Sequence, residues 1–136
     1  MEQEVIKIYC CIKDELIESE LELHEYDDAV ELKLLILQGE YVSEGETFFE
    51  ALFSLRKKLE MEDVKILCRG CCRNVFSSGM ILSMGAGRKA YVLQMGQQAS
   101  LKNLVDIFSS CSKEEVVSID EQMDFYNKWI KSLTVK

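Results

Sequence analysis

Over its first forty residues this chain alternates apolar and polar side chains with period two, and no proline interrupts it anywhere along its 136 residues. Successive side chains of an extended strand point to opposite faces, so such a segment can bury only one of them. Val5, Ile6 and Ile8 lead into a β-rich run through Tyr9, Cys10, Cys11 and Ile12. Leu21, Leu23 and Glu25 then share one face, and acids with His24 share the other. Asp27-Asp28 is a turn signal. Beyond it Val30, Leu32, Leu34 and Ile36 alternate with Glu31, Lys33, Leu35 and Leu37. The pattern predicts an antiparallel meander with one dry face and one wet, acidic face.

The period then lengthens. Thr47 and Glu50 have the spacing of a capping box, and Phe48, Leu52, Leu55 and Leu59 follow at helical intervals. Arg56, Lys57 and Lys58 fall in the last turns, where cations suit the negative helix end. A strand is expected from Val64 to Leu67. Two β-prone runs, Asn74 to Met84 and Arg88 to Met95, flank Gly85-Ala86-Gly87, whose glycines suit a hairpin loop with positive φ. Leu101, Leu104, Val105 and Phe108 have helical spacing, and Val116-Val117 suggests a brief strand. Ser118 and Glu121 form a second capping box. The helix they open carries Ile119, Met123, Tyr126, Ile130 and Leu133, with Phe125 and Trp129 on a neighbouring stripe.

The element order reads βββ-α-βββ-α-α. It predicts an α+β fold, a mostly antiparallel sheet of five to six strands packed with about three helices. The length fits one domain over residues 1–136, and no Pro/Gly/Ser-rich linker divides it. With 48% hydrophobic and 29% charged residues, such a chain can bury a core without disulfides or a structural metal. No apolar run approaches the roughly 20 residues that cross a bilayer. The acidic, alternating start lacks the order of a signal peptide. The expectation is a cytoplasmic protein with no membrane partner.

Six cysteines, at positions 10, 11, 68, 71, 72 and 111, read first as small buried hydrophobes. Cys68-Arg69-Gly70-Cys71-Cys72 contains the C-x-x-C spacing of half a zinc site or of a redox pair. Its second half is missing, because Cys10, Cys11, Cys111 and His24 repeat no ligand spacing, and β-prone residues follow the motif where a thioredoxin-like helix would start. The G-x-G-x-x-A from Gly85 to Ala90 precedes a strand rather than a phosphate-binding helix, so a hairpin loop is the better reading. Arg88 and Lys89 at its tip suit an anion or an acidic partner. His24 is the single histidine, placed on a half-exposed strand, and Ser77-Ser78-Gly79 is no nucleophile elbow. No catalytic set, metal-ligand set or cofactor is expected, and the reading is of a non-enzyme. Trp129 reads as core rather than as an exposed anchor.

Charge is placed unevenly. Residues 1–63 hold 18 acids and 6 bases, a net of −12, whereas residues 64–136 hold 6 acids and 10 bases, a net of +4; together they give −8. Nine acids and no Lys or Arg fall between Asp14 and Glu31. Such a surface repels phosphate backbones, which argues against a nucleic-acid partner, and it accelerates encounter with a basic protein. The candidate partner-binding residues are Glu18, Glu20, Glu22, Glu25, Asp27, Asp28 and Glu31.

With its small size, acidity and α+β pattern, and with stretches such as Leu104-Val105-Asp106-Ile107-Phe108 and Ser118-Ile119-Asp120-Glu121-Gln122, the chain resembles the immunity proteins of bacterial toxin–immunity pairs, contact-dependent inhibition systems included. The resemblance is one of type and spans the whole chain. It implies a non-catalytic module that neutralises a cognate toxin domain, frequently a basic nuclease, through its acidic face. Two readings from other classes stand beside it: a cysteine-centred metal or redox protein using Cys68, Cys71 and Cys72, and an oligomeric regulatory subunit.

Overall fold

The computed structural model describes residues 2–37, 39–77 and 87–134. Four strands come first: β1 (Glu2–Ile12), β2 (Glu15–Glu25), β3 (Val30–Ile36) and β4 (Gly39–Gly45). Helix α1 (Phe48–Glu60) and strand β5 (Val64–Ile66) follow, then a 3-10 turn over Arg69–Cys71. The remaining elements are β6 (Val75–Phe76), β7 (Lys89–Val92), a 3-10 turn over Leu101–Asn103, β8 (Leu104–Asp106) and helix α2 (Ile119–Thr134). Five strands form one antiparallel sheet in the order β4-β3-β2-β1-β5, and β6-β7-β8 form a second sheet.

The expected α+β class and antiparallel pairing hold. The expected single sheet of five to six strands does not, because the short C-terminal strands pair among themselves. The third helix, expected from Ser100, is also absent. Leu104, Val105 and Asp106 pair instead with Tyr91, Ala90 and Lys89 of β7, and Leu101, one of the positions expected to be buried, is 61% exposed. Tertiary pairing overrides a helical spacing supported by only four residues. β4 was not anticipated. The Val116-Val117 strand shrinks to an isolated bridge between Cys72 and Val116.

The first hairpin turns at Lys13 and Asp14, with φ of +51° and +66°. Positive φ at both central residues is the mark of the type I′ turn, whose twist matches that of the flanking strands. It sets the β1–β2 register, in which Ile6 faces Leu21 and Cys10 faces Ile17. Across β2 and β3, Leu21 faces Leu34 and Leu23 faces Leu32. These four leucines are buried, and a buried leucine contributes about 1.5–3 kcal/mol by leaving water. The Asp27-Asp28 turn is closed by a 2.9 Å bond from the Tyr26 amide to the Ala29 carbonyl. The second predicted hairpin pairs Val75 with Val92 and Phe76 with Tyr91. Gly87 ends its connection with φ of +79°, while Gly85 and Ala86 lie outside the described residues, as do Ser78 to Met84 of the preceding run.

Helix α1 covers the inner face of the large sheet. It buries Phe48, Phe49, Ala51, Leu52, Leu55 and Leu59, and its Ala51 carbonyl accepts from Ser43 Oγ of β4 at 2.7 Å. Thr47 caps it as predicted, with Oγ1 accepting the Glu50 amide at 3.2 Å. Thr47→Ala is expected to lower stability by about 1 kcal/mol, and Thr47→Ser to recover most of that, in urea unfolding midpoints. Helix α2 packs on the small sheet through a second cluster of Tyr91, Leu93 and Trp129, and Tyr126 stacks on Phe76 at 4.0 Å. Its Ser118–Glu121 capping box closes with the Glu121 amide 3.2 Å from Ser118 Oγ. Trp129 is core, with Nε1 donating to the Gln97 carbonyl at 2.9 Å.

Candidate functional site

With α1 on the inner side, the alternate residues of the large sheet form an outer face that is largely exposed or half-exposed, Cys11 excepted. Its rows follow from the register. Gln3, His24, Glu31 and Glu44 make one row, and Val5, Glu22, Lys33 and Val42 the next. Lys7, Glu20, Leu35 and Glu40 form a third; Tyr9 with Glu18, and Lys65 and Cys11 with Leu16, complete the face. Six carboxylates therefore stand among three lysines. Between them Val5, Tyr9 and Leu16 are 50%, 43% and 64% exposed. A mixture of apolar anchors with charge of predominantly one sign is what a docking surface needs, since apolar area supplies affinity and charge supplies steering.

Of the residues singled out from sequence, Glu18, Glu20, Glu22 and Glu31 come together on this face. Asp27 and Asp28 are exposed on the turn at its β2–β3 end. Glu25 does not join them. It lies in phase with Leu23, on the side of α1, and lines a small cavity of about 100 Å³ with Gln3, Glu4, Phe48 and Arg88. Glu40 and Glu44 belong to the face and were missed because β4 was not recognised, although the acids of Glu40-Tyr41-Val42-Ser43-Glu44 do alternate. Glu22 Oε1 accepts from His24 Nε2 at 3.1 Å, an interaction within the surface.

Arg88 is not available to an external anion. It binds Glu4 Oε1 at 2.6 Å and Asp106 Oδ2 at 3.1 Å, tying β8 to β1, and its guanidinium holds the Glu4 carboxyl below the usual carboxylate range. Lys89 stays exposed. No family model matches the chain, and no curated protein matches it in sequence.

The cysteines cluster although only two pairs are adjacent in sequence. Five of the six are buried and Cys111 is half-buried. Cys68 and Cys71, at the two ends of the 3-10 turn, have their sulfurs 3.6 Å apart. The hydrogen bond to Cys71, with burial, pushes the Cys68 thiol well up. Burial pushes Cys71 up as well, but the Cys68 hydrogen bond and the charge of Arg56 outweigh it and leave this thiol low. Cys72 Sγ donates to the Cys68 carbonyl at 3.9 Å, and the nearby Cys111 lowers the Cys72 thiol while its own is raised. Burial pushes Cys10 up to about 11. No three His, Cys, Asp or Glu side chains among the described residues converge as a metal-ligand set, nor is any described helix long and apolar enough to cross a membrane.

A polar network beside the cysteines escaped the sequence reading. Arg56, 3% exposed, donates through Nη1 to Gln122 Oε1 and through Nη2 to the Val117 carbonyl at 2.6 Å. Gln122 is completely buried, and its Nε2 donates to the carbonyls of Gly70 at 3.0 Å and Val75 at 2.7 Å. These bonds join α1, α2, the 3-10 turn and β6. Gly70 fits because a Cβ there would lie 2.5 Å from Leu52 Cδ2.

Proposed function

We propose that this chain is a non-catalytic, cytoplasmic binding module that captures a basic protein on the outer face of its large sheet, in the manner of an immunity protein neutralising a toxin domain. The observation that carries this reading is the outer face itself, where Glu18, Glu20, Glu22 and Glu31 of β2 and β3 stand on the same side of the sheet as the exposed Val5, Tyr9 and Leu16. Carboxylates on such a face raise the association rate of a cationic partner, and apolar side chains desolvated beside them slow its release. The same carboxylates disfavour a nucleic acid, whose phosphates they repel.

The test is affinity capture from the native host with two baits, the wild-type chain and a variant carrying Gln at positions 18, 20, 22 and 31, each washed at low and at high salt. A basic protein held by wild type at low salt, released by salt and absent from the variant supports the module. If that protein is toxic and co-expression of this chain relieves the toxicity, the immunity role follows. Identical captures on both baits would remove the acidic face from the function.

A further inference from the structure

The large sheet ends on β4, a strand of seven residues with β3 as its one neighbour in the sheet. In an antiparallel pair alternate residues turn both backbone groups toward the partner strand, and the residues between them turn both away. A hairpin closed across two residues ends on a bonded pair, here Ile36 with Gly39, which turns Tyr41, Ser43 and Gly45 toward β3 as well. Lys58 of α1 agrees with that phase. Its ammonium, at the surface, donates to the Val42 carbonyl, so Val42 faces away from β3, and Glu40 and Glu44 face away with it. No other bond to the outward amides and carbonyls of these three residues is found among the described residues. Glu40 and Glu44 are exposed and Val42 is half-exposed.

A row of outward backbone groups is a template on which a further strand can be added. The opposite end of the sheet offers less, since β5 has three residues. The side chains of the same three residues define what fits. Glu40, Val42 and Glu44 stand on the outer face, and each would lie directly opposite one residue of an added antiparallel strand. Opposite charges stabilise such cross-strand pairs and like charges destabilise them. A second copy of this chain is therefore a poor occupant: pairing β4 with itself about Val42 sets Glu40 against Glu44 of the other copy, at both ends. A strand with Lys or Arg on either side of an apolar residue, at every second position, pairs both carboxylates and sets its apolar side chain beside Val42. Its backbone amide replaces Lys58 at the Val42 carbonyl.

We propose that β4 receives an extended cationic segment of the basic partner as a further antiparallel strand, with basic side chains opposite Glu40 and Glu44. This rests on the reading of the chain as a binding module for a basic protein and adds the manner of capture. Backbone bonds to Glu40, Val42 and Glu44 hold the segment and set its register, while the two carboxylates select its sequence. The added strand also lengthens the acidic face rather than competing with it. Glu44 shares a row with Glu31, and Glu40 shares one with Glu20, so cations opposite β4 extend rows that already carry negative charge.

The probe is a synthetic peptide, Thr-Lys-Thr-Val-Thr-Lys-Thr, blocked at both ends and titrated into the folded full-length chain under NMR observation. In the complex the amides of Glu40, Val42 and Glu44 should exchange with solvent about tenfold more slowly, and those of Tyr41 and Ser43, already turned to β3, should not change. N-methylation of the valine and the two lysines should weaken binding by about tenfold or more, whereas methylation of the two threonines flanking the valine should weaken it by less than about twofold. Both methylated peptides keep the same charge, so the comparison isolates backbone pairing. Lys58→Met should tighten binding by about threefold, because it frees the Val42 carbonyl and removes a competing cation. Equal losses from the two methylations, β4 amides that are not slowed, or no binding of the parent peptide at millimolar concentration would each overturn strand addition. The acidic-face reading fails separately. If the two methylated peptides bind alike and binding is lost in the chain carrying Gln at positions 18, 20, 22 and 31, the face stands and the β4 edge does not.

Discussion

Gln122→Leu should lower the stability of this protein by about 3–6 kcal/mol, because it takes a partner from three buried groups and each buried group left short of a hydrogen bond costs about 1–3 kcal/mol. Leucine nearly matches the volume of glutamine, so packing changes little and the loss is polar. The carbonyls of Gly70 and Val75 lose the Gln122 side-chain donor, and the Arg56 guanidinium loses one of its acceptors. The amide orientation is forced by these partners, since two carbonyls need the NH₂ group and an arginine needs the oxygen. Domains of this size have about 5–15 kcal/mol of stability in total, so the variant should approach its unfolding midpoint near physiological temperature. Urea unfolding followed by circular dichroism measures the shift. Gln122→Glu is a sharper probe: it keeps the acceptor for Arg56 but sets a carboxylate against two carbonyl oxygens, and it should not recover the loss. A decrease below about 1 kcal/mol in the leucine variant would mean that the network contributes no more than an average hydrogen bond.

What the sequence disclosed follows the range over which each signal acts. Strand phase is local, and Leu21, Leu23, Val30, Leu32, Leu34 and Ile36 point inward as their alternation requires. Caps are local too, so Thr47–Glu50 and Ser118–Glu121 were both legible as helix starts. β4 was harder: it is bounded by glycines and its inner positions are Tyr41, Ser43 and Gly45, which leave little apolar contrast. The three short strands of the second sheet have two to four residues each, too few for a period to emerge. Gln122 looked like a solvated helix residue beside Asp120 and Glu121, yet its spacing of three from Ile119 and seven from Trp129 puts it on the buried stripe.

On the outer face, neutralising Glu18, Glu20, Glu22 and Glu31 with Gln should slow association of the basic partner by about tenfold to a hundredfold at low ionic strength, and flatten the dependence of that rate on salt. Reversal to lysine at positions 20 and 22 is the poorer design. Glu20 lies directly opposite Lys7, and Glu22 lies between Val5 and Lys33, so new cations there would repel their cross-strand neighbours and confuse folding loss with binding loss. Glutamine preserves side-chain shape and removes only charge. At these exposed and half-exposed positions it should change stability by no more than about 0.5 kcal/mol, which the urea midpoint checks independently. Tyr9→Ala and Leu16→Ala should act on the other half of the rate balance, speeding dissociation while leaving the salt dependence of association in place. Glu25→Gln is the control. It neutralises an acid from the same run of sequence that faces α1 rather than the outer surface, and its association rate should match wild type. Rates measured by stopped flow over a salt series separate these cases. If the Glu25 variant and the four-position variant slowed association equally per charge removed, the net charge of the chain, and not this face, would be steering the partner.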